Sequence, residues 1–191
     1  MLIIGHRGAA GLARENTLSS LKKAEECGVD MIETDLRKIN NKIVLTHDRV
    51  SDPNLVTLEE ALNIFKIPWN LELKEAGFES EVLALVKQFS SEVLISSFQV
   101  KILEKVRTLD EKIKLGYVFN SEESTGNLVD SLNLYSLHPS DAVVNPYTME
   151  QFRKRPVKVF VWTVNSLIEF ERLKKLGVDG VFTDRPDLIK R

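Results

Sequence analysis

The chain has 191 residues, 43% apolar and 28% charged, with 26 basic against 28 acidic side chains and a formal net charge of −2. This size and balance fit one globular domain over 1–191 with a sizeable core, and exclude a collagen-like, disulfide-scaffold or disordered chain. Near-neutral charge supplies no general field for nucleic acid or an anionic membrane, so neither is an expected partner.

The apolar run Met1-Leu2-Ile3-Ile4 ahead of Gly5-His6-Arg7 is too short for a signal-peptide core. No stretch reaches the ~18 apolar residues of a membrane span, and a cytoplasmic protein without a stable membrane anchor is expected. The one cysteine, Cys27, cannot close an internal disulfide and reads as a buried thiol. A strand is predicted over 2–5, a helix over 17–27 with Leu18, Leu21 and Ala24 on one face, and strands over 29–36 and 43–47. Thr57 followed three residues later by Glu60 is a capping-box signal for a helix over 57–65. Strands over 69–73, 93–96 and 113–119 then alternate with helices over 79–89 and 100–109. The pattern continues with a weakly signalled helix over 128–137, a strand over 142–145 and a helical turn near 149–153. A strand over 157–164, a helix over 167–176 and a strand over 180–182 complete it.

Strands alternating with helices argue for parallel βαβ units, in either a doubly wound sheet or a (β/α)8 barrel. The first strand lacks a following Gly-x-Gly-x-x-Gly loop, which counts against a dinucleotide-binding sheet. A barrel of this length would be a small one. One connection breaks the alternation. Seven residues separate Asp35 from Ile43, too few for a parallel crossover, so an antiparallel hairpin turning at Asn40-Asn41 is expected. A three-residue loop would put His47 on the face carrying Glu33 and Asp35; a two-residue loop would point it away.

Polar groups ill-suited to a core gather at predicted strand ends: His6 and Arg7, Glu33 and Asp35, His47 and Asp48, Glu72 and Lys74, and Trp162 to Asn165. In a parallel barrel these ends meet at one rim. The i, i+2 spacing of Glu33 and Asp35 puts both carboxylates on one strand face. Clustered carboxylates repel unless a cation holds them, and three carboxylates without a nearby cysteine suit Mg2+, Ca2+ or Mn2+. His6 and His47 can divide general-base and general-acid roles, and Arg7 and Lys74 supply charge of the kind that holds phosphate. Together these groups fit phosphodiester cleavage. His138, before Pro139 in a polar turn, reads as a surface or structural residue.

Gly5-His6-Arg7-Gly8, Glu15-Asn16-Thr17, Gly28-Val29-Asp30-x-Ile32-Glu33-x-Asp35 and His47-Asp48 resemble the opening of the glycerophosphodiester phosphodiesterases. Glu72-Leu73-Lys74, Trp162-Thr163-Val164-Asn165 and Gly177-Val178-Asp179-Gly180-Val181-x-Thr183-Asp184-x-Pro186 resemble the later blocks of that family, in the same order. The resemblance implies a TIM-type (β/α)8 barrel that hydrolyses a glycerophosphodiester to glycerol 3-phosphate and an alcohol. It implies one divalent cation, Mg2+ or Ca2+ (or Mn2+), on Glu33, Asp35 and Glu72, with His6 and His47 as the acid/base pair. By the same implication Arg7 and Lys74 contact phosphate and Trp162 lines the glycerol end of the pocket.

Two features depart from the family pattern. An insertion of several tens of residues usual after the His-Asp pair is missing, since only 49–71 separates Asp48 from Glu72. The usual Thr-x-Asp-Gly turn is replaced by Arg37-Lys38-Ile39-Asn40-Asn41. The rival readings are a phosphodiesterase acting on lysophospholipids, favoured by an open rim with an apolar wall, and a non-catalytic phosphate-binding barrel. An aldolase-type barrel would use Lys74 but has no need of paired histidines and three carboxylates.

Overall fold

The computed structural model describes residues 1–50, 52–121 and 125–189. Its strands are β1 (Leu2–Gly5), β2 (Met31–Ile39), β3 (Lys42–Leu45), β4 (Trp69–Leu73), β5 (Val93–Ser97), β6 (Lys114–Phe119), β7 (Ser136–Pro139), β8 (Lys158–Val161) and β9 (Gly180–Thr183). The helices are α1 (Leu18–Glu26), α2 (Leu58–Ile64), α3 (Glu79–Val86), α4 (Val100–Leu109), α5 (Gly126–Leu132), α6 (Pro146–Phe152) and α7 (Leu167–Leu176). The sheet order is β1-β9-β8-β7-β6-β5-β4-β2-β3, and β1 also pairs with β2. That extra pairing closes the parallel strands into a TIM-type (β/α)8 barrel. β3 alone runs antiparallel, along the outer half of β2.

Strand alternation sorts the side chains into two layers. Ile4, Met31, Leu94, Phe160 and Phe182 pack together inside the barrel. Ile3, Ile32, Leu71, Ile95, Leu115, Val159 and Val181 face outward, in one cluster with Leu21, Leu62, Val82, Ile102 and Leu173 of the helices. Each such aliphatic side chain stabilises the fold by roughly 1.5–3 kcal/mol on full burial. Local signals agree with the elements. Thr17 and Ser20 form a reciprocal capping box on α1, and Thr57 caps α2 by accepting from the Glu60 N–H at 3.2 Å.

The expected helix over 128–137 and strand over 142–145 are corrected. The segment forms α5, then β7, then a 3-10 turn at Asp141–Val143. Asn133 takes a left-handed conformation (φ 46°) and ends the helix early. β7 escapes an apolar-run search because it is four residues long and turns Ser136 and His138 into the barrel.

His138 is therefore not in a surface turn. It is buried, with its ring 5.5 Å from Phe160 and 5.1 Å from Phe182. Gly116 on β6 makes the room, since a Cβ there would lie 2.6 Å from the imidazole. Burial pushes the His138 pKa down to about 3. Cys27 is exposed rather than buried, because it caps the C-terminal end of α1 beyond the face that buries Leu21 and Ala24. No helix of the described residues is long and apolar enough to cross a membrane.

Candidate active site

His6 and Arg7 leave β1 in a tight turn. Arg7 has φ 50° and Gly8 φ 81°. The turn is tied on several sides: the Arg7 N–H donates to Glu33 Oε2 at 2.7 Å, and the Arg7 carbonyl accepts from Asn16 N–H at 3.1 Å and Ser20 Oγ at 2.9 Å. A Cβ on Gly8 would sit 2.6 Å from the Ser20 backbone, so glycine is required there.

Glu33 and Asp35 point inward from β2 and are 2% and 1% exposed. Parallel register sets Asp35 beside Glu72 of β4. One oxygen from each of Glu33, Asp35 and Glu72 lies within 4.8 Å of the others. Lys74 Nζ is 2.6 Å from Glu72 and 3.5 Å from Asp35. Arg7 Nε reaches Asp35 at 3.2 Å as an ion pair, without hydrogen-bond alignment. Asn16, itself buried at φ 55°, donates through Nδ2 to Asp35 at 2.9 Å and accepts from the Thr34 hydroxyl at 2.6 Å.

The three carboxylates fit a hard divalent cation on two grounds. Glu33 Oε1 is buried with no hydrogen-bond partner, an acceptor that a cation would satisfy. Burial and the neighbouring Asp35 push the Glu33 pKa up to about 8; burial also raises Glu72, against the pull of Lys74. Such a crowd of acids is held ionised most readily by a bound positive charge.

His6 Nδ1 meets Asp184 Oδ1 at 2.7 Å, and its Nε2 is 4.0 Å from Glu33. Asp184 is itself held by Asn165, through Nδ2 at 2.6 Å and by accepting the Asp184 N–H at 2.8 Å. Burial opposes protonation of His6, but Asp184 and Glu33 outweigh it and its pKa is raised.

The position of His47 corrects the register argument. The hairpin uses the two-residue loop, pairing Ile39 with Lys42 and Leu36 with Leu45; Asn40 and Asn41 both take positive φ. His47 nevertheless lines the same cavity as Glu33 and Asp35. The ladder stops at Leu45, the chain bends as the Thr46 hydroxyl donates to the Asp48 carbonyl, and Arg37 Nε holds the His47 carbonyl at 2.8 Å.

The cavity has a volume of about 160 Å3 and brings together the residues the sequence singled out for metal, acid/base, phosphate or glycerol contact: His6, Arg7, Glu33, Asp35, His47, Glu72, Lys74 and Trp162. The charged groups come from β1, β2, β4 and the end of β3. Phe98, Val118, His138, Trp162 and Phe182, from β5 to β9, line the other half. Phe98 packs edge-on to Trp162, with ring centroids 5.6 Å apart, and lies 5.4 Å from Lys74 Nζ. Sequence reasoning assigned no role to Asn16, Asn165 or Asp184, although all three stand in the motifs it quoted. Phe98, directly after β5, carried the same strand-end signal as Trp162.

Fold and site define a TIM-barrel protein with a carboxylate cluster able to hold a divalent cation at the C-terminal strand ends. The sequence profile of the glycerophosphoryl diester phosphodiesterase family matches residues 6–61 and 54–188, and the chain belongs to that family. The glycerophosphodiester phosphodiesterase of Caldanaerobacter subterraneus subsp. tengcongensis is 28% identical, over 98% of this chain and 96% of its own. That alignment spans 232 positions against 191 residues here, so the relative carries segments this chain lacks. The two profile matches meet at 54–61, between His47 and Glu72, where the missing insertion was expected. Among solved structures, the Thermotoga maritima glycerophosphodiester phosphodiesterase superposes with a TM-score of 0.86 at 27% identity, covering 98% of this chain and 96% of that one. An Oleispira antarctica phosphodiesterase, solved with the product sn-glycerol-3-phosphate, shares the fold with a TM-score of 0.90 at 24% identity, over 97% and 94% of the two chains.

Proposed function

We propose that this chain is a metal-dependent phosphodiesterase that hydrolyses glycerophosphodiesters to glycerol 3-phosphate and an alcohol. The observation that carries the reading is the convergence of Glu33, Asp35 and Glu72 in a cavity that His6, His47, Arg7 and Lys74 also line. Family membership and the named relatives support the same substrate class.

Glu33, Asp35 and Glu72 would hold one Mg2+ or Ca2+, with Mn2+ also suited to the oxygen set. Bound there, the cation would supply Lewis acidity to the phosphoryl transfer. Arg7 and Lys74 bind the phosphate and offset the charge that builds on it in the transition state. His6 and His47 share the proton transfers, one receiving from the attacking oxygen and one donating to the leaving alkoxide. Trp162 packs against the glycerol. The proposal includes a cytoplasmic location, which fits a single cysteine with no intramolecular partner.

Release of glycerol 3-phosphate from glycerophosphocholine, followed with and without chelator, tests this reading. Turnover is expected only with added divalent cation. H6A and E72Q should each lower kcat by about 100-fold or more while the protein stays folded. Full activity in excess chelator would overturn the metal assignment, and an undiminished H6A variant the histidine assignment.

A further inference from the structure

Resting on the metal-dependent reading, we infer that Asn70 is a positioning residue for the cation site. Its side-chain amide donates to Glu33, with Ser96 holding the other end, and so fixes the carboxylate in the direction a cation needs.

Asn70 stands two residues before Glu72 on β4 and does not line the cavity. It lies opposite Glu33 of β2, the two being Cα partners in the parallel register. Partners in adjacent parallel strands point to the same side, and the strands lie about 4.8 Å apart. The Asn70 side chain therefore enters the barrel beside that of Glu33. Both residues are sealed from solvent. On the other flank of Asn70 the register partner is Leu94 of β5, which is apolar, so packing alone does not call for an amide here.

Two hydrogen-bond deficits identify the partner. Asn70 Oδ1 is buried without a hydrogen-bond partner, and so is Glu33 Oε1. No other oxygen of a strand side chain shares that condition among the described residues. Such orphans are rare, because each gives up water without replacement. Asn70 Nδ2, meanwhile, donates to Ser96 Oγ at 2.9 Å, a hydroxyl that can itself donate. Turning the amide by half a revolution about Cβ–Cγ exchanges Oδ1 and Nδ2 in nearly the same space. Oδ1 then accepts from the Ser96 hydroxyl. Nδ2 gains a proton to give to Glu33 Oε1, the buried acceptor on the neighbouring strand that still lacks a donor. One rotation removes both deficits.

The bond matters for the cation. Glu33 Oε2 already accepts the Arg7 N–H at 2.7 Å. With Oε1 tied to Asn70 the carboxylate is held at both oxygens, and Oε1 keeps a second lone pair for the ion. Hydrogen bonds to ligating carboxylates preset their direction, and losing one weakens metal binding by about 10–100-fold.

Calorimetric titration of Mg2+ and of Ca2+ into chelator-treated protein, read beside thermal unfolding of the metal-free form, tests the inference. N70L has a side chain of similar size with no donor. It should weaken the dissociation constant about tenfold or more while the metal-free unfolding midpoint stays level or rises. N70S, which retains a donor, should recover part of the loss, and S96A should weaken binding in the same direction as N70L. An unchanged dissociation constant in N70L, with or without a lower metal-free midpoint, overturns the inference and makes Asn70 a packing residue. Should N70L not fold, the parent protein decides by NMR. Cross-peaks from the Asn70 Nδ2 protons to the Glu33 γ-protons are expected, and cross-peaks to Ser96 alone overturn the inference. A parent that binds neither cation overturns the metal reading itself, and the same cross-peaks then still judge the bond between Asn70 and Glu33.

Discussion

At the scale of single residues, Asp184 fixes the orientation of the His6 ring. A histidine at a strand end is free to rotate unless one ring nitrogen is held, and Asp184 holds Nδ1 at 2.7 Å while Asn165 fixes Asp184 in turn. The ring is left with Nε2 directed toward Glu33 and the cavity. Substituting Asp184 by Asn keeps the shape but removes the charge and admits the wrong tautomer. D184N should lower kcat on the order of 100-fold, with KM and the unfolding midpoint nearly unchanged, and N165A should act in the same direction more weakly. A matching fall in thermal stability would instead make Asp184 a structural residue. His6, the carboxylates, Arg7 and Lys74 were legible in sequence because charge at a strand end is conspicuous. Asp184 and Asn165 were not, because a role exerted through another side chain leaves no signature of its own.

At the scale of elements, the strands and helices were legible wherever apolar side chains face both the barrel and the helices, as in β5 with Val93 to Ser97 buried throughout. β7 was missed for the opposite reason. Its inward residues, Ser136 and His138, satisfy each other at 2.7 Å inside the barrel, so the strand reads as polar. The β2–β3 hairpin was visible from spacing alone, but the reach of His47 was not, because a bend beyond the last ladder pair overrides the alternation. That hairpin depends on two consecutive left-handed asparagines, Asn40 at φ 48° and Asn41 at φ 64°. A β-branched residue tolerates that conformation poorly. N41V should therefore cost about 1–2 kcal/mol in urea unfolding, whereas N41G should stay within about 0.5 kcal/mol of the parent. Equal stability of the two variants would show that the turn conformation does not limit the hairpin.

For the whole molecule, the two halves of the barrel mouth put opposite pH demands on folding. His138 is buried neutral with its pKa near 3, far below that of an unfolded histidine at 6.5. As pH falls from about 6.5 toward 3, the unfolded chain takes up a proton that the folded one refuses, and stability is lost. Glu33 works the other way. Its folded pKa is raised from 4.5 to about 8, so the folded chain keeps a proton that the unfolded one has released, and stability is lost as pH rises through that window. Each slope is on the order of 1.4 kcal/mol per pH unit where it acts alone, and the two oppose each other between about 4.5 and 6.5. Chelator-treated protein should thus be most stable in that middle range and weaken on both sides. A divalent cation held by Glu33, Asp35 and Glu72 would favour their ionised forms, so on the proposed reading excess Mg2+ or Ca2+ should remove the loss above pH 6.5 and leave the acid limb unchanged. At a hundred times its dissociation constant the ion adds about 2.7 kcal/mol. Thermal unfolding across pH 4–9, with chelator and with each cation, measures both limbs. An alkaline limb that the cation leaves untouched would mean that Glu33, Asp35 and Glu72 do not hold it.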